Sequence, residues 1–186
     1  LGGGGGGAGP GGPRGGLLLV GPGPGNGGWM TAESEAIGAE ATDLVGYSLY
    51  LDLLGARTAG KTRHDFPLGE EIDRVRAAME LAATGKTVAL VSSGDPGIYA
   101  MATLAFELLE SGGRDDWRRV AIQACPGISA LQAAAARSGA PPAHDVCPIT
   151  LTHPPTPRGA IEPPPQVAAA GDSLTPLHTP GSPPPP

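Results

Sequence analysis

The sequence predicts an α/β domain: a largely parallel sheet flanked by helices. Three observations carry that prediction. Short apolar runs alternate with segments of helical period, as βαβ units require. The runs at 17–20 and 87–91 are almost continuously apolar, the mark of strands buried on both faces. Small-residue loops at 21–28, 92–98 and 125–129 each follow such a run, at the sheet edge where ligands collect. Much of the remaining glycine and proline, out of 31 Gly and 22 Pro in 186 residues, lies at the ends. We expect residues 1–16 to be a disordered Gly-rich arm, residues 17–152 the α/β domain, and residues 153–186 a disordered Pro-rich tail.

Each element has its own justification. Leu17-Leu18-Leu19-Val20 reads as a buried strand that stops at Gly21-Pro22-Gly23-Pro24-Gly25. Thr31 can cap a helix on which Glu33, Glu35 and Glu40 stay wet. Asp43 to Tyr47 is a second strand, followed by a short segment around Leu49, Leu51 and Leu54; Lys61 to Phe66 is a weaker one, interrupted by His64 and Asp65. Over 69–84, Ile72, Val75, Met79 and Ala82 recur at helical steps, which assigns Glu70, Glu71, Asp73, Arg74 and Arg76 to solvent. Gly85 stands where a C-terminal cap belongs. Thr87 to Val91 is the central strand. Asp95 is placed to cap a helix beginning near Pro96, and Met101, Leu104, Leu108 and Leu109 mark the next helix, which ends before Gly112-Gly113. Val120 to Ala124 is a strand, Ser129 to Arg137 an Ala-rich helix, and Asp145 to Leu151 the last strand.

Bulk properties narrow the function. A formal net charge of −6 argues against a nucleic-acid partner, which needs a positive surface. No apolar run reaches the roughly 18–20 residues of a membrane span, and the start at Leu1 lacks a signal-peptide layout. Cys125 and Cys147 lack zinc-ligand spacing, read as small apolar side chains, and no metal site is expected. A cytoplasmic setting follows as the default. Gly23, Gly25 and Gly28 with Asp43 satisfy a dinucleotide fingerprint on paper. Pro24, however, removes a donor from that cradle, and no helix starts beside it before Thr31. His144-Asp145 would point to opposite faces of a strand. Asp115-Asp116 with Arg118-Arg119 read as a solvated face, and Glu70-Glu71 do not share a helix face. The stronger signal is the shared design of Ser92-Ser93-Gly94-Asp95-Pro96-Gly97 and Pro126-Gly127-Ile128-Ser129-Ala130: strand, tight turn, hydroxyl, helix. Together with the first loop they suggest one small-molecule pocket.

With these loops in view the sequence resembles the tetrapyrrole methylase family, most closely its precorrin-3B C17-methyltransferase branch. The residues that carry this are the strand and Gly-Pro-Gly loop at 17–26, Asp43-Leu44-Val45-Gly46-Tyr47 with Tyr50-Leu51, and Glu70-Glu71-Ile72-Asp73-Arg74. They continue through KTVALVSSGDPGIYAMA at 86–102, PGISA at 126–130, Ala135-Ala136, Gly139-Ala140-Pro141, and His144-Asp145 with Cys147. The resemblance implies a two-domain cobalamin-pathway enzyme that transfers a methyl from S-adenosylmethionine to C17 of a corrin precursor, with ring contraction. By position, Pro24, Ser93, Gly94, Asp95, Ile98, Ser129 and Ala130 match family positions that contact the cofactor. Tyr47 and Lys61 fall where relatives line the tetrapyrrole pocket, with Lys61 a candidate acid–base group.

The substrate so implied carries many carboxylates, so an acidic protein must set local positive charge beside it. Arg57, Lys61, Arg63 and His64 are the densest basic stretch and the candidates for that role, against the plainer reading of a solvated loop. Relatives usually have Asp at Asn26 and a Ser-Asp pair at Thr152-His153, and His178-Thr179-Pro180 stands in place of a Tyr-Asn-Pro core. The expectation is a chain holding the first domain and little of the second, which would leave its cofactor cleft open and its activity in doubt. Two other readings stay open. One is a non-catalytic partner-binding domain, whose exposed docking face would also allow a homodimer; the other is a Rossmann-type oxidoreductase.

Overall fold

In the computed structural model, the described residues are 15–25, 27–111, 114–139, 146–150 and 173–177. They fall into two compact units, Leu1–Ser129 and Ala130–Pro186. The first holds β1 (Gly15–Val20), α1 (Ala32–Glu40), β2 (Asp43–Tyr47), α2 (Ser48–Leu53), β3 (Thr62–Phe66), α3 (Glu71–Ala83), β4 (Thr87–Val91), α4 (Met101–Ser111) and β5 (Val120–Cys125). The second holds α5 (Ala130–Ser138), β6 (Val146–Thr150) and β7 (Ser173–Leu177), the two strands pairing in parallel. No described helix is long and apolar enough to cross a membrane.

All five strands of the first unit are parallel, in the order β3-β2-β4-β1-β5. Strand alternation sorts the core into two layers. Leu17, Leu19, Val45, Val88 and Leu90 face α3 and α4, packing with Val75, Met79, Ala82 and Ala105. Leu18, Val20, Leu44, Ala89 and Val91 face the opposite way and pack with Ile37, Leu51 and Leu54. The helix after β1 therefore covers one face and the helix after β4 the other. A crevice must open between the C-terminal ends of these neighbouring strands, as it does at the switch point of an open α/β sheet. The order also departs from the 3-2-1-4-5 arrangement of the Rossmann fold.

Most predicted elements are present, and four details differ. β1 begins at Gly15, ahead of the apolar run, because Gly15 has no side chain: a Cβ there would collide with the Ala82 carbonyl and stand 2.6 Å from that of Lys86. On α3, Arg74 is buried at 3% exposure whereas Ile72 is 48% exposed. The buried stripe runs through Arg74, Val75, Ala78, Met79, Ala82 and Ala83, so it is rotated toward Arg74. The guanidinium Nη2 donates to the Pro67 carbonyl at 2.9 Å, which fastens the turn before the helix. α4 begins at Met101 rather than near Pro96, and the Asp95 carboxylate holds the turn before it through Gly97 N while its other oxygen reaches Gly127 N. Finally, β6 is not the last strand, since β7 lies within the Pro-rich tail.

Candidate functional site

Three loops leave the adjacent strands β4, β1 and β5 at their C-terminal ends, and their backbones meet. Gly23 and Gly94 form a short antiparallel bridge: Gly94 N donates to the Gly23 carbonyl at 2.9 Å, and Gly23 N to the Gly94 carbonyl at 3.3 Å. Gly23 (φ 86°) and Gly94 (φ 66°) both occupy the left-handed region that only glycine enters freely. Asp95 ties two loops at once. Its Oδ1 accepts from Gly97 N at 2.7 Å and its Oδ2 from Gly127 N at 2.9 Å. A Cβ on Gly127 would collide with the Gly94 carbonyl and lie 2.5 Å from that of Gly21. The third loop is thus in backbone contact with the other two.

The start of α1 locks the same junction from the side. Thr31 Oγ1 caps the helix by accepting from Ser34 N at 3.1 Å, the expected N-cap arrangement. Ser34, fully buried, donates its hydroxyl to the Gly21 carbonyl at 3.2 Å and lies 3.4 Å from Cys125 Sγ. Burial pushes the Cys125 thiol pKa up, which fits a structural thiol and not a reactive one. No sequence pattern marks Ser34 for this role. The one local signal for Ser34 is its place three residues after the cap, where a first-turn hydroxyl can reach the preceding loop.

Beside this junction lies a small cleft that is open to solvent. Its walls are Pro22, Gly23, Gly25 and Gly27, then Met30, Tyr50, Leu53, Leu54, Ser93 and Arg57. Tyr47 stands next to it, packed edge-on against Tyr50 with ring centroids 5.2 Å apart. Burial raises the Tyr50 hydroxyl pKa, so the phenol stays neutral at physiological pH. Ser92, 4% exposed at the root of the second loop, has a hydroxyl with no hydrogen-bond partner among the described residues.

The predicted site residues divide accordingly. Pro24, Ser93, Gly94, Asp95 and Ser129 lie on the three joined loops, as does Ile98, which is 43% exposed. Ala130 opens α5 and is described with the second unit. Tyr47 and Arg57 belong to the cleft region. Lys61, Arg63 and His64 are not brought to it.

Lys61 precedes β3 at the opposite edge of the sheet, and its ammonium caps α1 by donating to the Ala39 and Ala41 carbonyls at 2.8 and 2.5 Å. Arg63 is paired with Asp52 and Asp65 at 2.8 and 2.6 Å. His64 Nε2 is 2.8 Å from Asp43 Oδ1, which also accepts from Lys86 at 2.8 Å. Asp43 is buried, which opposes its charge, but hydrogen bonds from Lys86, His64 and Thr42 outweigh that and hold its pKa at about 2. Asp43 therefore cannot serve as the ribose ligand of a dinucleotide fingerprint: it starts β2, a full strand length from Gly23 and Gly25. His144, Asp145 and Asn26 lie outside the described residues.

The family model of tetrapyrrole (corrin/porphyrin) methylases matches residues 16–181. The chain is 42% identical over 166 residues to the cobalamin biosynthesis protein CobIJ of Mycobacterium tuberculosis, covering 89% of this chain and 32% of that protein. It is 41% identical over 136 residues to a precorrin-3B C(17)-methyltransferase of a Sinorhizobium species, covering 73% and 53%. The crystal structure of the methyltransferase CobJ shares 42% identity and superposes with a TM-score of 0.71, over 80% of this chain and 61% of that one. The chain thus spans between about a third and two thirds of the length of these relatives.

Proposed function

The chain belongs to the tetrapyrrole methylase family, and from that premise we propose that it is the first, cofactor-holding part of an S-adenosylmethionine-dependent methyltransferase. The reaction we assign is methylation at C17 of precorrin-3B, with ring contraction, in cobalamin biosynthesis. The observation that carries this reading is the junction of three strand-end loops closed by Asp95 beside a mostly apolar cleft. It is favoured by relatives named for C17 methylation at about 40% identity.

The residues fit the cofactor. Gly23, Gly25 and Gly27 expose main chain along the cleft, a Cβ on Gly25 would meet nothing within 4 Å, and Ser93 adds a hydroxyl to the wall. Ser92 holds a buried hydroxyl that no described protein group satisfies. Pro24, Ser93, Gly94, Asp95, Ile98, Ser129 and Ala130 are the residues we assign to cofactor binding, with Asp95 acting as the brace that holds the second and third loops together. When bound, the sulfonium supplies an already activated methyl group. The protein's part is then to orient the reactants and exclude water, which explains why no nucleophile–base pair is needed in the cleft. Met30, Leu53, Leu54 and Tyr50 provide the apolar wall, and Tyr47 borders the substrate side. Lys61, engaged at the other edge of the sheet, has no part in this assignment.

Calorimetric titration of the 186-residue chain with S-adenosylhomocysteine tests the reading, with NADH as the competing ligand class. Saturable one-to-one binding of S-adenosylhomocysteine and none of NADH is expected. Binding of NADH, or no S-adenosylhomocysteine binding at millimolar concentration, would overturn it.

A further inference from the structure

Arg57 differs from the other basic residues of its stretch. Among the described residues that line the cleft it is the one that carries a charge. Its Nε donates to Glu35 Oε1 at 2.9 Å, while both partners remain substantially exposed, at 42% and 57%. Its two terminal nitrogens have no hydrogen-bond partner among the described residues, and Nη1 reaches to 3.6 Å from the point where a Gly27 Cβ would stand. The guanidinium thus lies along the glycine loop with one edge on Glu35 and the other toward the cleft. Lys61, Arg63 and His64 are engaged on backbone carbonyls or carboxylates elsewhere. A mostly apolar cleft with one half-used guanidinium suits a ligand with an apolar body and a carboxylate at its edge.

We propose that Arg57 is the carboxylate receptor of this cleft and that Glu35 is its exchangeable internal counter-ion, displaced when the ligand's carboxylate arrives. This rests on the methyltransferase reading and deepens it. The exchange is cheap, because an exposed ion pair contributes little, whereas a ligand's carboxylate can take the two terminal nitrogens side by side as charge-assisted hydrogen bonds. Two ligands of the proposed reaction carry such a group: the amino-acid end of the methyl donor and the acidic side chains of the macrocycle.

The test measures the affinity of the 186-residue chain for S-adenosylhomocysteine by calorimetry and for uroporphyrin III, a carboxylate-rich tetrapyrrole, by absorbance titration. Wild type, Arg57→Gln, Glu35→Gln and the double variant are compared, each checked for native circular dichroism. Arg57→Gln should weaken one ligand by about ten- to a hundredfold, and which ligand it weakens identifies the source of the carboxylate. Glu35→Gln should tighten that same ligand by about two- to fivefold, and the double variant should match Arg57→Gln. A merely structural salt bridge would make both single variants weaker. Both moving in the same direction, or neither ligand responding to Arg57→Gln, would overturn the proposal and leave the methyltransferase reading intact. Wild type binding neither ligand would overturn both.

Discussion

Gly127→Ala is the sharpest probe of the loop junction, because it adds one methyl at a position where the obstacles are all backbone. The new Cβ would lie 2.5 Å from the Gly21 carbonyl oxygen and nearer still to that of Gly94, whereas ordinary contact begins at 3.4 Å. The third loop must therefore move about 0.9 Å from Gly21, the difference of those two distances, and farther still from Gly94. No side chain can rotate away to spare it. Gly127 is not among the positive-φ residues, so the effect is steric and does not arise from dihedral strain. Overpacking of this kind costs about 1–3 kcal/mol, which for a unit of this size lowers Tm by roughly 5–10 °C at a cost of about 2 kcal/mol.

The functional cost should be larger than the stability cost. Retreat of Gly127 pulls its amide off Asp95 Oδ2, and a misplacement near 1 Å in a positioned site costs on the order of a hundredfold. Differential scanning fluorimetry and calorimetry with S-adenosylhomocysteine, performed well below Tm, separate the two. Gly97→Ala is the control, since its Cβ would meet only Asp95 Oδ1, at 3.2 Å. A Gly127→Ala chain with unchanged Tm and unchanged affinity would refute the claim that the three loops touch.

Other consequences concern the scaffold around the site. Asp43, held at about 2 against an ordinary 3.8, contributes about 2 kcal/mol at neutral pH. Because its folded pKa is depressed, that contribution is present above pH 4 and is lost as pH falls toward 2. Urea midpoints against pH should show this acid limb in wild type and a flatter one in Asp43→Asn; parallel curves would contradict the assignment. Thr31→Ala removes the α1 cap and its link to the loop at Pro126, and should cost about 1 kcal/mol in urea unfolding. Arg74→Met keeps the volume while removing a buried guanidinium whose Nε has no partner. It should leave the unfolding free energy unchanged or raised, and a loss of more than about 2 kcal/mol would show instead that the bond to Pro67 dominates.

What could be read in the sequence was what depends on near neighbours. The run Thr87–Val91 is buried on both faces and so is continuously apolar, and the strand-end loops announce themselves by the small residues that β4, β1 and β5 each release into. What could not be read depends on partners far along the chain. Asp95 reads in sequence only as a local cap, whereas its second oxygen also takes Gly127 N, 32 residues away. Arg74 looks like solvent-face charge until the Pro67 carbonyl and the rotation of α3 place it inside. Charge density grouped Arg57 with Lys61, Arg63 and His64, but the chain crosses from the cleft to the far edge of the sheet between residues 57 and 62. Four residues close in sequence thus serve different ends of the molecule.

The most direct test of the central claim, that the joined loops hold the methyl donor, is amide hydrogen exchange with and without S-adenosylhomocysteine. Selective protection of peptides spanning 21–28, 92–98 and 125–129, with 61–66 unchanged, is the predicted result. Protection centred on 61–66, with the three loops unaffected, would contradict it.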